Sequence, residues 1–230
     1  MTAGWFRPLF RDREEAGKKL SAELQRRFPR LTPQNALLLA IPRGGVEVGA
    51  AIAAELGIPL DVLVVRKIGA PFHPELAVGA VGPDGRRVLN LDVLHQLGLR
   101  EEDFAEEEAR ARTELAARLR LYGFRGIPSP HPTYCIVVDD GIATGATAKS
   151  ALLWLRRAAP TSRTILAAPV APPETVEELR AYADEVVVLA TPSPFGAVGA
   201  FYERFPQVSD ERVLDLLRSY RDGAAPPPTS

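Results

Sequence analysis

The sequence predicts an α/β fold, with a mostly parallel central sheet flanked by helices. Three observations carry this. Short aliphatic or β-branched runs alternate with stretches of helical periodicity along most of the chain, as βαβ units do. The runs are continuously apolar, as strands covered on both faces require. The run 134–138 ends in two adjacent carboxylates, Asp139 and Asp140, followed by a loop of small and hydroxylated residues and then a new helical pattern. Open α/β sheets bind ligands at such C-terminal strand ends.

The elements follow in order. Asp12 and Glu15 form a capping-box start, and Ala16, Leu20, Leu24 and Phe28 recur at i+4 as one apolar stripe. Residues 36–41 read as a strand. Residues 46–56 read as a helix ended by Gly57-Ile58-Pro59. Residues 60–65 are a second buried strand. The runs 76–81 and 86–89 flank Gly82-Pro83-Asp84-Gly85, a hairpin signal. Residues 101–122 form a long charged helix with i,i+4 pairs Glu106/Arg110, Glu108/Arg112 and Glu114/Arg118. The acidic strand is followed by a helix over 146–157. Strands at 164–170 and 185–190 enclose a helix over 173–183. The small, Pro-rich tail 223–230 is expected to be disordered.

Composition sets the remaining bounds. At 230 residues the chain suits a single domain, taken as 1–222. A formal net charge of -1 offers no electrostatic footprint for nucleic acid. No apolar run reaches the roughly 18 residues of a membrane span. Residues 1–8 lack the apolar core of a signal peptide, so the cytoplasm is the expected compartment. The single Cys135 excludes an internal disulfide and reads as a small buried apolar residue. Twenty-four arginines against four lysines, with few Asn, Gln, Cys and Met, suit a GC-rich genome or a heat-adapted, thermostable protein.

The loop after Gly141 carries the chemistry. No bulky side chain interrupts Ala143, Thr144, Gly145, Ala146 and Thr147, so their N–H groups can close around a phosphate. Thr144 and Thr147 add hydroxyl donors, and the following helix turns its positive end to the same anion. Asp139 and Asp140 suit the vicinal hydroxyls of a ribose. The implied ligand is a ribose 5-phosphate. A P-loop is excluded, because Lys149-Ser150 lacks the preceding glycine and its spacing. Ile41-Pro42-Arg43-Gly44-Gly45-Val46 repeats the strand–loop–helix logic. Gly44 and Gly45 permit unusual backbone angles, and Arg43 supplies a charged fork. Arg66 and Lys67 place two cations after the buried run 60–65.

The segment from Tyr134 to Ala148 resembles the phosphoribosyl-diphosphate signature of the type I phosphoribosyltransferases. The resemblance implies that Asp139 and Asp140 hold the ribose hydroxyls and that the next loop holds the 5-phosphate. The loop at Arg43 looks like the family's pyrophosphate loop, which often carries a non-proline cis peptide. Arg66 and Lys67 are similar to cation pairs that face pyrophosphate. Residues 69–75, with His73 and Glu75, align with the family's mobile loop. The implied reaction is attack by a nitrogenous acceptor on the anomeric carbon of phosphoribosyl diphosphate, with pyrophosphate leaving. Mg2+ is the implied cofactor, held by donor oxygens near Asp139 and Asp140.

Members acting on 6-oxopurines carry an acidic residue where this chain has Ala143, which disfavours hypoxanthine and guanine as acceptors. The resemblance also implies a small hood, from the N-terminal segment and about 192–208, and a helical insertion at about 100–123. Phe195, Phe201, Tyr202 and Phe205 lie in the hood, either stacking on a flat acceptor or packing together. A non-catalytic regulator that senses the donor is the alternative. Arg43, Arg66 and Lys67 favour the enzyme, and no basic helix-turn-helix precedes the core. The expected partners are the donor and a small nitrogenous acceptor, with no nucleic acid and no membrane. A homodimer is left open.

Overall fold

A computed structural model describes residues 8–222, apart from the side chains of Pro74 and Glu75. The expected tail 223–230 lies outside the described residues. Strands β1 (Ala36–Ala40) and β2 (Leu60–Val62) pair in parallel. A second, antiparallel sheet follows: β3 (Arg66–Ala70), β4 (His73–Val81) and β5 (Arg87–Leu89). The chain returns to the main sheet with β6 (Tyr134–Val138), β7 (Arg163–Val170) and β8 (Glu185–Ala190). The main sheet has five strands in the order β2-β1-β6-β7-β8, parallel throughout. The fold is thus the predicted α/β arrangement.

Apart from the edge strand β8, which is partly buried, the parallel strands are buried on both faces, and their side chains divide between two cores. Leu38, Ile136 and Val138 join one cluster, while Leu37, Leu39, Cys135 and Val137 join the other. The helices α1 (Arg13–Arg27) and α2 (Gly44–Leu56) cover the first face. They are followed by α3 (Leu91–Leu97), α4 (Ala105–Tyr122), α5 (Ala146–Ala158), α6 (Pro173–Leu179) and α7 (Asp210–Tyr220). Helix α7 also supplies Val213 and Leu217 to the first core, whereas α5 and α6 supply Leu152, Leu155 and Leu179 to the second. Gly57, at φ 67°, caps α2, as the Gly-Ile-Pro stop predicts. The capping box at α1 is displaced by one residue. Asp12 accepts from the N–H of Glu15, but Glu15 accepts from the N–H of Arg11 rather than that of Asp12.

The structure departs from the sequence reading at several places. The run 60–65 is not one strand. Pairing in the main sheet ends at Val62, and Arg66 and Lys67 open β3 instead of closing the second parallel strand. All of 60–65 is buried, so composition alone gives no sign of the change of sheet. Residues 69–75 form a tight β3–β4 hairpin rather than a loop, with Ala70 paired to His73. Glu114 and Arg118 do not pair with each other: Glu114 turns to Arg66, and Arg118 to Asp210. The helix over 101–122 begins as a 3-10 turn, Glu101–Phe104, before α4. Helices α3 and α7 lie in segments the sequence reading left unassigned.

Helices α1 and α2 meet at a backbone approach that needs Gly17. A Cβ there would lie 2.6 Å from the Ala51 Cβ and 2.7 Å from the Val48 carbonyl oxygen. Two effects oppose each other in Gly17→Ala. Helix propensity gains roughly 1 kcal/mol, while overpacking against backbone costs about 1–3 kcal/mol. The carbonyl cannot move without α2, so overpacking wins. Urea denaturation should show a lower midpoint at unchanged slope; an unchanged or higher midpoint contradicts this close contact.

Candidate functional site

The two glycine-containing loops converge where the sheet changes direction. From β1 the chain steps outward to β2, while from β6 it steps the other way to β7 and β8. Such a switch point leaves a crevice at the carboxyl ends of the two strands. The N–H of Ile41 donates to the carbonyl of Val138 at 2.8 Å, so the strand ends run side by side. The peptide between Pro42 and Arg43 is cis. Helix α2 starts at once, with its N-terminus beside the acidic pair.

Gly44 and Gly45 permit this approach by lacking side chains. A Cβ on Gly44 would sit 1.8 Å from the Asp140 Oδ2, and one on Gly45 would sit 2.7 Å from the carbonyl oxygen of Val138. The structure therefore brings Arg43, Gly44, Gly45, Asp139, Asp140 and Gly141 into one cluster. Gly141 is closed in from the other side. A Cβ there would lie 2.3 Å from Val198 Cγ1, in the 3-10 turn Val198–Phe201.

The acidic pair is held by specific contacts. Asp139 Oδ1 accepts from the N–H of Asp140 at 2.9 Å. Asp140 Oδ2 accepts from Arg13 Nε at 2.7 Å. The Tyr202 hydroxyl donates to the Asp140 carbonyl at 2.6 Å. Burial first, and the negative charge of Asp140 second, push the Asp139 carboxyl well above the ordinary carboxylate range. Burial and the same negative charge tighten the hold of Tyr202 on its phenolic proton.

The loop 143–147 forms an open cradle. Gly145 takes the left-handed conformation at φ 75° as the N-cap of α5 and offers no side-chain cap. Among the described residues, the N–H groups of Ala143, Thr144, Gly145, Ala146 and Thr147 make no backbone hydrogen bond. Thr144 and Thr147 are exposed. The Thr175 hydroxyl donates to the carbonyl of Ala143 at 2.9 Å, fixing that peptide from α6. Open N–H groups, two hydroxyls and a helix N-terminus are gathered here, the kind of donor set that suits an anion.

The three sequence-predicted cations have different surroundings: Arg43 lies in the cluster, whereas Arg66 and Lys67 belong to β3 of the antiparallel sheet. Arg43 lies 3.8 Å from Asp210 at the start of α7. Asp210 also holds Arg118 at 3.4 Å and the Tyr122 hydroxyl. Arg66 Nε is 3.3 Å from Glu114 of α4 and makes no well-aligned hydrogen bond. Lys67 follows on β3, where alternation sends it to the opposite face from Arg66.

Phe201 and Tyr202 are buried with Phe10 and Val170 in a small third core. That core is tied to the N-terminal segment by a bridge between Phe10 and Tyr202. Phe195 and Phe205 keep accessible surface. The side chain of Glu75 lies outside the described ones. His73, at the start of β4, and His131, whose Nδ1 is 3.2 Å from the Thr161 hydroxyl, are not among the site's contacts.

Arg13 is the site residue the sequence reading missed, although a signal was present. It falls seven residues before Leu20, in register with the buried stripe of α1, and is only 6% exposed. A cleft of about 750 Å³ runs between α1, α2 and α7 and touches Arg13 and Glu47. None of residues 139–147 lines it. The open donors and the carboxylates gather at the strand ends instead.

The model of the phosphoribosyl transferase domain family matches residues 11–200. The chain belongs to the phosphoribosyltransferase family. It is 45% identical over 219 residues to two Mycobacterium tuberculosis proteins, "Putative phosphoribosyl transferase MT0597" and "Putative phosphoribosyl transferase Rv0571c". The match takes in 94% of this chain but only 48% of each relative, so the chain spans about half their length. Among solved structures it is similar to the protein TT1426 from Thermus thermophilus, at 40% identity and a TM-score of 0.79. That match covers 92% of this chain and 98% of TT1426. Among the described residues no helix is long and apolar enough to cross a membrane.

Asp139 gives this family member a pH signature. Its proton is bound more tightly when folded than when unfolded, so the folded state holds more protons. Stability therefore falls as pH rises above the ordinary carboxylate range and through the raised one. Asp139→Asn removes that slope. Between about pH 5 and about pH 8 the melting temperature of wild type should fall more than that of the variant. Parallel curves would show that Asp139 titrates like an exposed carboxylate.

Proposed function

We propose that the chain transfers the 5-phosphoribosyl group from phosphoribosyl diphosphate to a small nitrogenous acceptor, releasing pyrophosphate. One observation carries the reading: an open anion cradle follows directly on a carboxylate pair at the β1/β6 switch point. The cradle suits a 5-phosphate and the carboxylates suit ribose hydroxyls, in the order a ribose 5-phosphate requires. The cis peptide at Arg43 and the start of α2 lie beside this pair, where a group on the anomeric carbon would project.

The residues divide the work. The N–H groups of 143–147 and the hydroxyls of Thr144 and Thr147 hold the phosphate. Asp139 and Asp140 accept from the ribose hydroxyls, fixing the ring and placing negative charge beneath a sugar that becomes positive as its bond breaks. Arg43, Arg66 and Lys67 neutralise the leaving group. Asp210 and Glu114 engage Arg43 and Arg66. A pyrophosphate carries more charge than either carboxylate and can draw these side chains away.

The residues present fit Mg2+ bound through the donor. Among the described residues no group of three or more His, Cys, Asp or Glu could hold a metal. Two carboxylates with phosphate oxygens nevertheless form the set Mg2+ prefers. Asp139 and Asp140 would hold it there, and it would supply charge neutralisation of the pyrophosphate.

The acceptor binds under the hood, where Phe195 and Phe205 keep accessible surface. The missing acid at Ala143 disfavours hypoxanthine and guanine.

Pyrophosphate release with magnesium, donor and a panel of bases tests the reading. Arg43→Ala should lower kcat and kcat/KM together by roughly 10- to 100-fold, the loss of one charge-assisted contact that strengthens as the bond breaks. Its melting temperature should stay within a few degrees of wild type, because the 3.8 Å pair with Asp210 is long and only partly buried. A change confined to KM would reduce Arg43 to ground-state binding. Tight donor binding without turnover on any base would favour the sensor reading.

A further inference from the structure

We propose that Arg13 is a positioning residue that aims the Asp140 carboxylate at the ribose and couples it to the hood. The inference rests on the ribose-phosphate reading of the site and adds a residue to it. Arg13 stands in the first turn of α1, 127 residues before Asp140 in sequence. Its Nε donates to Asp140 Oδ2 at 2.7 Å. Its Nη1 donates to the carbonyl of Pro206 at 2.8 Å and lies 3.5 Å from Glu47 of α2. Its guanidinium carbon lies 3.7 Å from the ring centroid of Phe205.

Each contact restricts the others. A guanidinium that is 6% exposed is costly without anionic partners, so Asp140 and Glu47 make its burial tolerable. The planar fork cannot rotate without losing the Pro206 carbonyl or the Phe205 face. Asp140 is fixed in turn. Arg13 holds Oδ2, Tyr202 holds the main-chain carbonyl, and the glycine edge of Gly44 leaves just enough room for the carboxylate. With Oδ2 occupied by Arg13, the proposal gives Oδ1 to a ribose hydroxyl. The first turn of α1 is clamped to the hood by a second pair, Asp12 with Arg204 at 2.6 Å. A shift of residues 204–206 is therefore felt at Asp140 through Arg13. Asp140 itself touches the sugar; Arg13 acts through it.

Calorimetric titration of the full chain separates this role from a structural one. The ligands are ribose 5-phosphate and inorganic phosphate; the proteins are wild type, Arg13→Lys, Arg13→Gln, Asp140→Asn and the Arg13→Gln/Asp140→Asn double variant. Arg13→Gln should weaken ribose 5-phosphate binding roughly tenfold or more. Arg13→Lys should recover part of that loss. Inorganic phosphate, which reaches only the cradle, should bind Arg13→Gln as it binds wild type. In the Asp140→Asn background, Arg13→Gln should add little further loss, because the two residues act as one unit.

Equal losses for the two ligands, an undiminished loss in the Asp140→Asn background, or unchanged affinity would each overturn the proposal. If Arg13→Gln does not fold, Phe205→Ala serves, since that ring is accessible at the surface. It should weaken ribose 5-phosphate selectively and by less than Arg13→Gln; no selective change would overturn the coupling to the hood. Wild type failing to bind ribose 5-phosphate would refute the functional reading itself, whereas binding that Arg13→Gln leaves intact would refute only this inference.

Discussion

Two adjacent carboxylates at the end of the central strand are the constraint around which this molecule is arranged. Asp139 and Asp140 follow directly on the buried strand β6, where negative charge is expensive. The neighbouring features make that cost bearable. Burial raises the proton affinity of Asp139, Arg13 pairs with Asp140, and Tyr202 fixes the peptide between them and the loop. The loop at Arg43 can press against the pair only because Gly44 and Gly45 present no side chain to it.

The positive side of the site is built differently. The cradle at 143–147 relies on fixed peptide dipoles and the start of α5, so it needs no side-chain charge. Arg43 and Arg66 are tied to Asp210 and Glu114. Those acids come from α7 and α4, helices outside the parallel sheet. Helix α4 meets both pairs: Glu114 faces Arg66, while Arg118 and Tyr122 hold Asp210, which also faces Arg43.

What the sequence revealed follows from how local each feature is. The acidic strand end, the small-residue loop and the following helix lie within one contiguous stretch, so their chemistry could be read directly. The strand-end glycines at Gly44 and Gly45 were readable for the same reason. The change of sheet after Val62 was not, because a uniformly apolar run looks the same in one sheet as in two. Residues 69–75 carried Gly and Pro, which serve a tight hairpin as well as a loop. Helix α7 had a legible pattern, Ser209 followed by Val213, Leu216, Leu217 and Tyr220, and could have been assigned from it. Arg13 is the instructive omission. Beside Asp12, Glu14 and Glu15 it looks like part of a solvated charged turn, and only its register with Leu20 and Leu24 betrays that it points inward. Its partner is distant in the chain, so no local rule pairs them.

The most direct test of the account is a crystal structure of the chain with ribose 5-phosphate. The account predicts the phosphate seated among the N–H groups of 143–147 with Thr144 and Thr147, the ribose hydroxyls on Asp139 and Asp140, and the anomeric carbon facing the loop at Arg43. A sugar phosphate bound instead in the cleft between α1, α2 and α7, with the strand-end carboxylates untouched, would contradict it.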